Sequence, residues 1–266
     1  VSLHVAVATR SFRRYSTYTA ATLAGIFTNC VFGVINALVL VAVWEQNPDA
    51  GGYDVRDAVT YVWLGQAMIM VIALWGGGSP TDLATRIKTG DVALDFYRPV
   101  GLLGWYLAAD LGRAAFHLLS RALVPTVVGA LLFDLRWPGG PWPAVAVAVS
   151  VVLALLVSFA IRFLVAMTTF WVLDDQGTAI LASTAAVFFS GLTVPLVLFP
   201  GWFGTLARAL PWASYVQAPA DLWLGKHHGW GVVGTLGLQA LWAGVLLGAC
   251  AGLLRLAERK VVVQGG

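Results

Sequence analysis

Asp110, Arg113, His117 and Arg121 recur at steps of three and four, which sets four ionisable side chains on one face of a helix. Ionisable groups inside an apolar segment are a functional hypothesis by default. Asp110 and Arg113 can pair, which lowers the cost of burying either. The stripe falls toward one end of its apolar stretch, where arginine can snorkel to lipid headgroups. Anchoring a neighbouring connection and touching a substrate are the two other readings.

Other chemistry is poorly supported. His227-His228 is an adjacent pair with no nearby cysteine and no second histidine cluster, which speaks against zinc. There is no H-E-x-x-H and no G-x-S-x-G. No G-x-x-x-x-G-K-[ST] loop occurs either, since Gly225-Lys226 continues into His227. The sequence offers no catalytic, cofactor-binding or metal-ligating residues.

The elements that carry these residues are apolar throughout. The 266 residues are 59% hydrophobic and 11% charged, with a mean hydropathy of +0.81, against about 25% charged residues in soluble domains. Length therefore sets a number of membrane crossings. A hydrocarbon core of ~30 Å needs roughly 20 apolar residues in a helix, and six stretches qualify: 20–44, 58–78, 103–133, 142–172, 179–199 and 231–255. The fold expected is an all-α integral membrane protein filling 1–266 as one domain. The net charge of +3 does not point to nucleic acid, because basic residues sit at the ends of apolar runs. Cys30 and Cys250 lie within spans, where they act as small apolar residues.

Charge placement orients the spans. Arg10, Arg13 and Arg14 precede the first stretch; Arg86, Lys88 and Arg98 follow the second; Arg255, Arg259 and Lys260 follow the last. The opposite connections hold Arg56, Arg136, Arg208 and Lys226. Lysine and arginine bias sets topology, so both termini are expected in the cytoplasm. Trp44, Trp137, Trp142, Trp202, Trp212 and Trp230 then gather at the outer interface. The first stretch also shows Ala21, Gly25, Asn29, Gly33 and Asn36 at helical spacing, a face that suits close helix packing or a solute-lining surface.

Four connections carry further signal. Residues 45–57 form a short acidic outer loop, either solvated or attractive to cations. LDDQG, between the fourth and fifth stretches, is a tight inner turn. The inner connection SPTDLATRIKTGDVALDFYRPV has Ser79 or Thr81 as an N-cap, Asp82 four residues before Arg86 and Leu83 four before Ile87. Gly90 stops that helix, Asp91 caps a second short turn and Pro99 closes it. This predicts an amphipathic hairpin over 80–99 at the inner membrane surface. The outer connection over 200–229 alternates apolar and aromatic residues with Pro200, Pro211 and Pro219. Short helices dipping part-way into the bilayer fit it best, because irregular backbone at membrane depth must pack against protein or a wet cavity.

The runs IKTGDVALDFYRPV, FFSGLTVPLVLFPGWF with ALPW after it, and RKVVVQGG resemble permease subunits of bacterial type-2 ATP-binding-cassette exporters. The likeness is to the branch of short six-span permeases linked to drug and viologen-type export, and it covers essentially the whole chain. The resemblance implies a second permease subunit, identical or a sibling, and two ATPase subunits that supply ATP and magnesium. It implies that the hairpin is the coupling element, through Asp82, Leu83, Arg86, Ile87, Lys88, Gly90, Asp91, Leu94, Arg98 and Pro99. It also implies that the second and fifth spans line the passage, which makes Gln66, Phe188, Phe189, Ser190 and Thr193, with Asn29 and Asn36, the candidates for substrate contact.

The function so implied is export of a small hydrophobic, amphipathic or cationic compound from the cytoplasm or inner leaflet, across a bacterial plasma membrane. Two alternatives stand beside it. An ion-gradient-driven carrier would more often show repeats, broken helices and mid-membrane carboxylates, and no acidic residue lies at the centre of a span. A membrane assembly scaffold would not need the hairpin.

Overall fold

The computed structural model describes residues 2–48, 50–97, 100–172 and 174–264, with side chains through Arg259. Helix accounts for 82% and no strand occurs among the described residues, which makes the chain all-α. In order, the helices are α1 (Leu3–Ser16), α2 (Thr19–Gln46), α3 (Val55–Val71), α4 (Ser79–Thr89), α5 (Val92–Phe96) and α6 (Leu102–His117). There follow α7 (Leu123–Leu132), α8 (Pro141–Val172), α9 (Gln176–Phe189), α10 (Gly201–Ala209), α11 (Gln217–Trp223) and α12 (Trp230–Gln264).

Four helical stretches are long and apolar enough to cross a membrane: Thr19–Gln46, Leu102–Leu132, Pro141–Val172 and Trp230–Arg259. The other two expected spans are corrected. Over 58–78 the helix ends at Val71, giving 17 residues, about 26 Å. Over 179–199 it covers Gln176–Phe189, 14 residues, about 21 Å. Both breaks have a local cause. Ala73 takes a left-handed φ of 50° and Gly76, Gly77 and Gly78 follow at 86°, 92° and 78°. Leu74 N–H donates to Ile69 O at 3.0 Å and Ala73 N–H to Met70 O at 3.4 Å, a Schellman end with alanine where glycine is usual. After α9, Gly191 turns the chain at φ 85° and a 3-10 turn, Leu196–Leu198, replaces the expected helix.

The third span is one axis with a wide turn in it. Leu118–Ala122 is a π segment joining α6 to α7, placed just before Pro125, which has no N–H to give to Arg121 O and whose ring would crowd that carbonyl. An N-terminal helix was not anticipated. α1 runs along α6, with Phe12 edge-on to Phe116 at 5.6 Å and Tyr15 edge-on to His117 at 5.4 Å. A side chain at Gly112 would collide with the Ala8 carbonyl, so the two backbones approach only because that residue is glycine.

Ion pairs gather the connections into two ends. At one end Arg14 meets Asp82 at 2.8 Å and Lys88 meets Asp175 at 2.6 Å. Leu83, Ile87 and Val92 share a core there with Phe163, Leu254 and Ala257. At the other end Arg136 meets Asp54 and Asp57 at 2.6 Å each, and Lys226 meets Asp57 at 2.5 Å. In the acidic loop over 45–57, Asp57 is thus neither solvated nor free for cations, being buried between two basic partners, whereas Asp54 stays exposed. Trp44 is likewise no interface residue: it is fully buried and donates to Tyr53 O at 2.8 Å, whereas Trp142, Trp202 and Trp230 stay exposed.

Candidate functional site

The buried charges close the broken C-terminal end of α3. Arg113 donates through Nη1 to Met70 O at 2.6 Å and through Nη2 to Val71 O at 2.9 Å, the last carbonyls of that helix. Ser158 donates to Ile72 O, and Arg162 donates to Gly77 O at 2.9 Å. Asp110 holds both guanidinium groups, Arg113 at 2.8 Å and Arg162 at 2.7 Å. Free carbonyls in a low-dielectric interior each cost free energy; the two arginines of this triad satisfy three of them and Ser158 a fourth. Gly78 is required beside it, because φ is 78° and a Cβ would meet Asp110 Oδ1 at 2.5 Å.

The expected pairing of Asp110 with Arg113 is present, but Arg113 does not snorkel: it is 2% exposed. His117 is buried against Tyr15, and Arg121 reaches Ala21 O at 2.7 Å across Gly25. Arg162 and Ser158 were missed as members. The available signal was charge balance, since Arg162 lies deep in an apolar helix and Asp110 is the nearest acid that lies within a span.

The broken C-terminal end of α9 is closed differently. Gln217 on α11 accepts from Leu196 N–H at 2.8 Å and its own N–H donates to Ser190 O at 3.1 Å. Its Nε2 donates to Tyr53 Oη at 3.0 Å and to Asp221 Oδ1 at 2.9 Å. Tyr61 donates to Gly191 O at 2.9 Å, and Tyr53 donates to Asp221. Burial pushes the Tyr53 phenol well above its ordinary pKa, so it stays a donor. The short helices expected over 200–229 are α10 and α11; Gln217, Asp221, Tyr53 and Tyr61 were not singled out, although Gln217 and Asp221 stand four apart on one helical face.

A cavity of about 270 Å³ lies between the α3 break and α8 and α9, lined by Ala73, Trp75, Arg162, Ala182, Ser183 and Tyr215 among others. Of the expected pathway residues none lines it. Asn29 is buried and donates to Gln66 O at 3.3 Å, and Gln66 is buried. Gly33 faces the Trp63 ring, so the small-residue seam of α2 closes inside the chain, while Asn36 is exposed. Phe188 is half-exposed, joined to Phe189 and Phe199 at 5.0 and 5.5 Å. Ser190 is buried at the end of α9 and Thr193 is exposed.

The hairpin forms as expected in outline. α4 and α5 are joined at Gly90 in the left-handed region, φ 81°. Its internal pairing differs. The N-cap is Gly78, while Ser79 donates to Tyr106 O at 2.6 Å; Thr81 does not cap. Asp82 pairs with Arg14 and Arg86 pairs with Asp95 at 2.5 Å, so the four-residue spacing forms no bridge. Hydrogen bonds to Asp82, Asp95 and Asp175 raise the pKa of Arg14, Arg86 and Lys88 respectively. Asp91 stands at the N-cap position of α5 as expected but makes no side-chain cap bond; its carboxylate accepts from the Thr89 hydroxyl at 2.9 Å. Leu83 and Ile87 are buried in the chain's own core, whereas Leu94 and Tyr97 are 65% and 87% exposed. Arg98 and Pro99 lie outside the described residues. His227 Nε2 stands 3.7 Å from Asp221, and no metal-ligating cluster occurs among the described residues.

This geometry is that of a multi-pass membrane subunit. A family model for ABC-2 family transporter proteins matches residues 30–265, and the chain belongs to that family. It is therefore a permease, the membrane subunit of an ABC transporter that works with ATPase subunits. No curated protein matches the sequence.

Proposed function

We propose that the chain is the permease of an ATP-driven exporter, crossing a bacterial plasma membrane six times as one domain with both termini in the cytoplasm. It pairs with a second permease, identical or a sibling, above two ATPase subunits that bind ATP and magnesium. The observation that carries this is the α4–α5 hairpin: its apolar face is sunk among Phe163, Cys250 and Leu254 of α8 and α12, while Leu94 and Tyr97 project from the tip. A lever needs both a rigid root and a free contact. Lys88 adds a tie from α4 to Asp175, at the head of α9. Movement of an ATPase against the tip would then reach the α3 break and α9, the two walls of the 270 Å³ cavity.

The cavity suits a hydrophobic or amphipathic solute. Alanine and aliphatic side chains dominate, with Trp75 and Tyr215 beside a few polar groups, and Arg162 and Asp175 are each already paired. From there the exposed Phe188 edge of α9 gives an aromatic route outward. A broken helix beside a buried acid is also a feature of ion-coupled carriers, but Asp110 is committed to two arginines and offers no free carboxylate to a coupling ion.

The test is co-purification with the ATPase encoded alongside the permease, followed by solute-stimulated hydrolysis. Leu94→Asp should cut ATPase retention at least tenfold, and Leu83→Ala should keep retention but blunt stimulation. Full retention and stimulation in Leu94→Asp would remove the coupling assignment.

A further inference from the structure

A second cavity, larger than the one that faces α9, lies elsewhere in the molecule. It measures about 870 Å³ and opens between α1, α4 and α6, within the size range of ligand clefts. Its chemistry is divided. Arg10, Arg13 and Arg14 stand on one face of α1, at steps of three and four, opposite Thr85 and Arg86 of α4. Val7, Trp105 and Ala109 make an apolar floor.

The charges do not balance inside it. Asp82 is taken by Arg14 at 2.8 Å, and Asp95 by Arg86 at 2.5 Å. Among the described residues no carboxylate lies within ion-pair distance of Arg10 or Arg13, and both are exposed. Two guanidinium groups thus face a space whose carboxylates are already engaged. Guanidinium forks match phosphate oxygens in geometry and charge. Apolar side chains line the same cavity, surface that a lipid matches and a bare anion does not. Leu3 and Val5, also on α1, project outward at 47% and 53% exposure, so the helix presents apolar residues to its surroundings beside the basic face.

We infer that this cavity binds the phosphate of an anionic phospholipid headgroup, with Arg10 and Arg13 as its ligands and Trp105 and Val7 under the glycerol and upper acyl carbons. The lipid would bridge α1 to α4 where Arg14 and Asp82 already join them. The site therefore couples leaflet composition to the root of the hairpin. Its assignment to the inner leaflet rests on the orientation proposed above; the site itself does not.

The test uses the full chain without ATPase, so failure of the coupling assignment leaves it untouched. The protein is placed in neutral micelles and titrated with phosphatidylglycerol, phosphatidylcholine or glycerol 3-phosphate, with bound lipid counted by native mass spectrometry. One basic side chain near an anionic surface contributes about fivefold in binding, and two about 30-fold. The wild type should prefer phosphatidylglycerol over phosphatidylcholine by that order, Arg10→Ala/Arg13→Ala should lose the preference, and Arg10→Lys/Arg13→Lys should keep most of it. Arg208→Ala, at the other end, should leave it unchanged. Should the alanine pair not remain monodisperse, Arg13→Gln alone should lose about fivefold. Equal binding of the two lipids by the wild type would overturn the inference, as would a preference that survives the alanine pair. Equally strong binding of glycerol 3-phosphate would overturn the lipid and leave a soluble anion site.

Discussion

Removing the carboxylate of Asp110 would leave Arg113 and Arg162 facing each other inside the protein with no counter-charge. Breaking a buried pair from one side costs about 3–5 kcal/mol, and here the loss also loosens the donors that close α3. Arg14 and Asp82 are bridged at the same 2.8 Å but are 60% and 48% exposed, where pairs contribute about 0–1 kcal/mol. Asp110→Asn should therefore lower the thermal midpoint in detergent several times further than Arg14→Ala does. Equal shifts would mean that the triad is not structural. The sequence showed the three-residue step from Asp110 to Arg113; it did not show that Arg162, 52 residues on, completes the group. Adjacent spacing is visible in one dimension, but a third partner depends on how α6 and α8 pack.

Elements were legible where hydropathy is long and uninterrupted. α2, α8 and α12 begin within a residue of their expected starts, because 20 apolar residues in sequence have few alternatives to a helix. α3 and α9 ended early although their apolar runs continue, since backbone at membrane depth can leave the helix once neighbours satisfy it. α1 was missed because 14 residues with three arginines do not look apolar; its helix is held by packing on α6. The π segment before Pro125 makes a separate prediction. An i→i+5 turn accommodates one extra residue, so deleting exposed Leu119 together with Pro125→Ala should regularise the helix and keep both flanks in register. Deleting exposed Val152 from the regular α8 should instead turn one flank by about 100° and abolish monodisperse protein. Loss of folding in both deletions, measured by size-exclusion chromatography, would refute the extra-residue account.

At the scale of the molecule, the two gatherings of ion pairs make the proposed six-pass orientation testable. With Cys30 and Cys250 replaced by alanine, Tyr97→Cys should react with a membrane-impermeant maleimide only in inside-out vesicles. His228→Cys should react only in right-side-out spheroplasts. Labelling of both positions from the same side would break the six-pass arrangement. The positive residues fit it, as Arg10, Arg13, Arg14, Arg86, Lys88, Arg255 and Arg259 belong to one end. Four basic residues belong to the other, of which Arg136 and Lys226 are bound to the buried Asp57.

Composition alone determined that this is a helical membrane protein, and the hairpin with its left-handed Gly90 was readable from local spacing. Those properties are sums over neighbours in the chain, so the chain order contains them. Which carboxylate meets which arginine was decided only by tertiary structure. Arg113 reaches a carbonyl 43 residues away and Tyr53 meets an acid 168 residues away. Such pairings exist only after the helices have packed, because each buried polar group takes whichever partner the neighbouring helix brings within about 3 Å.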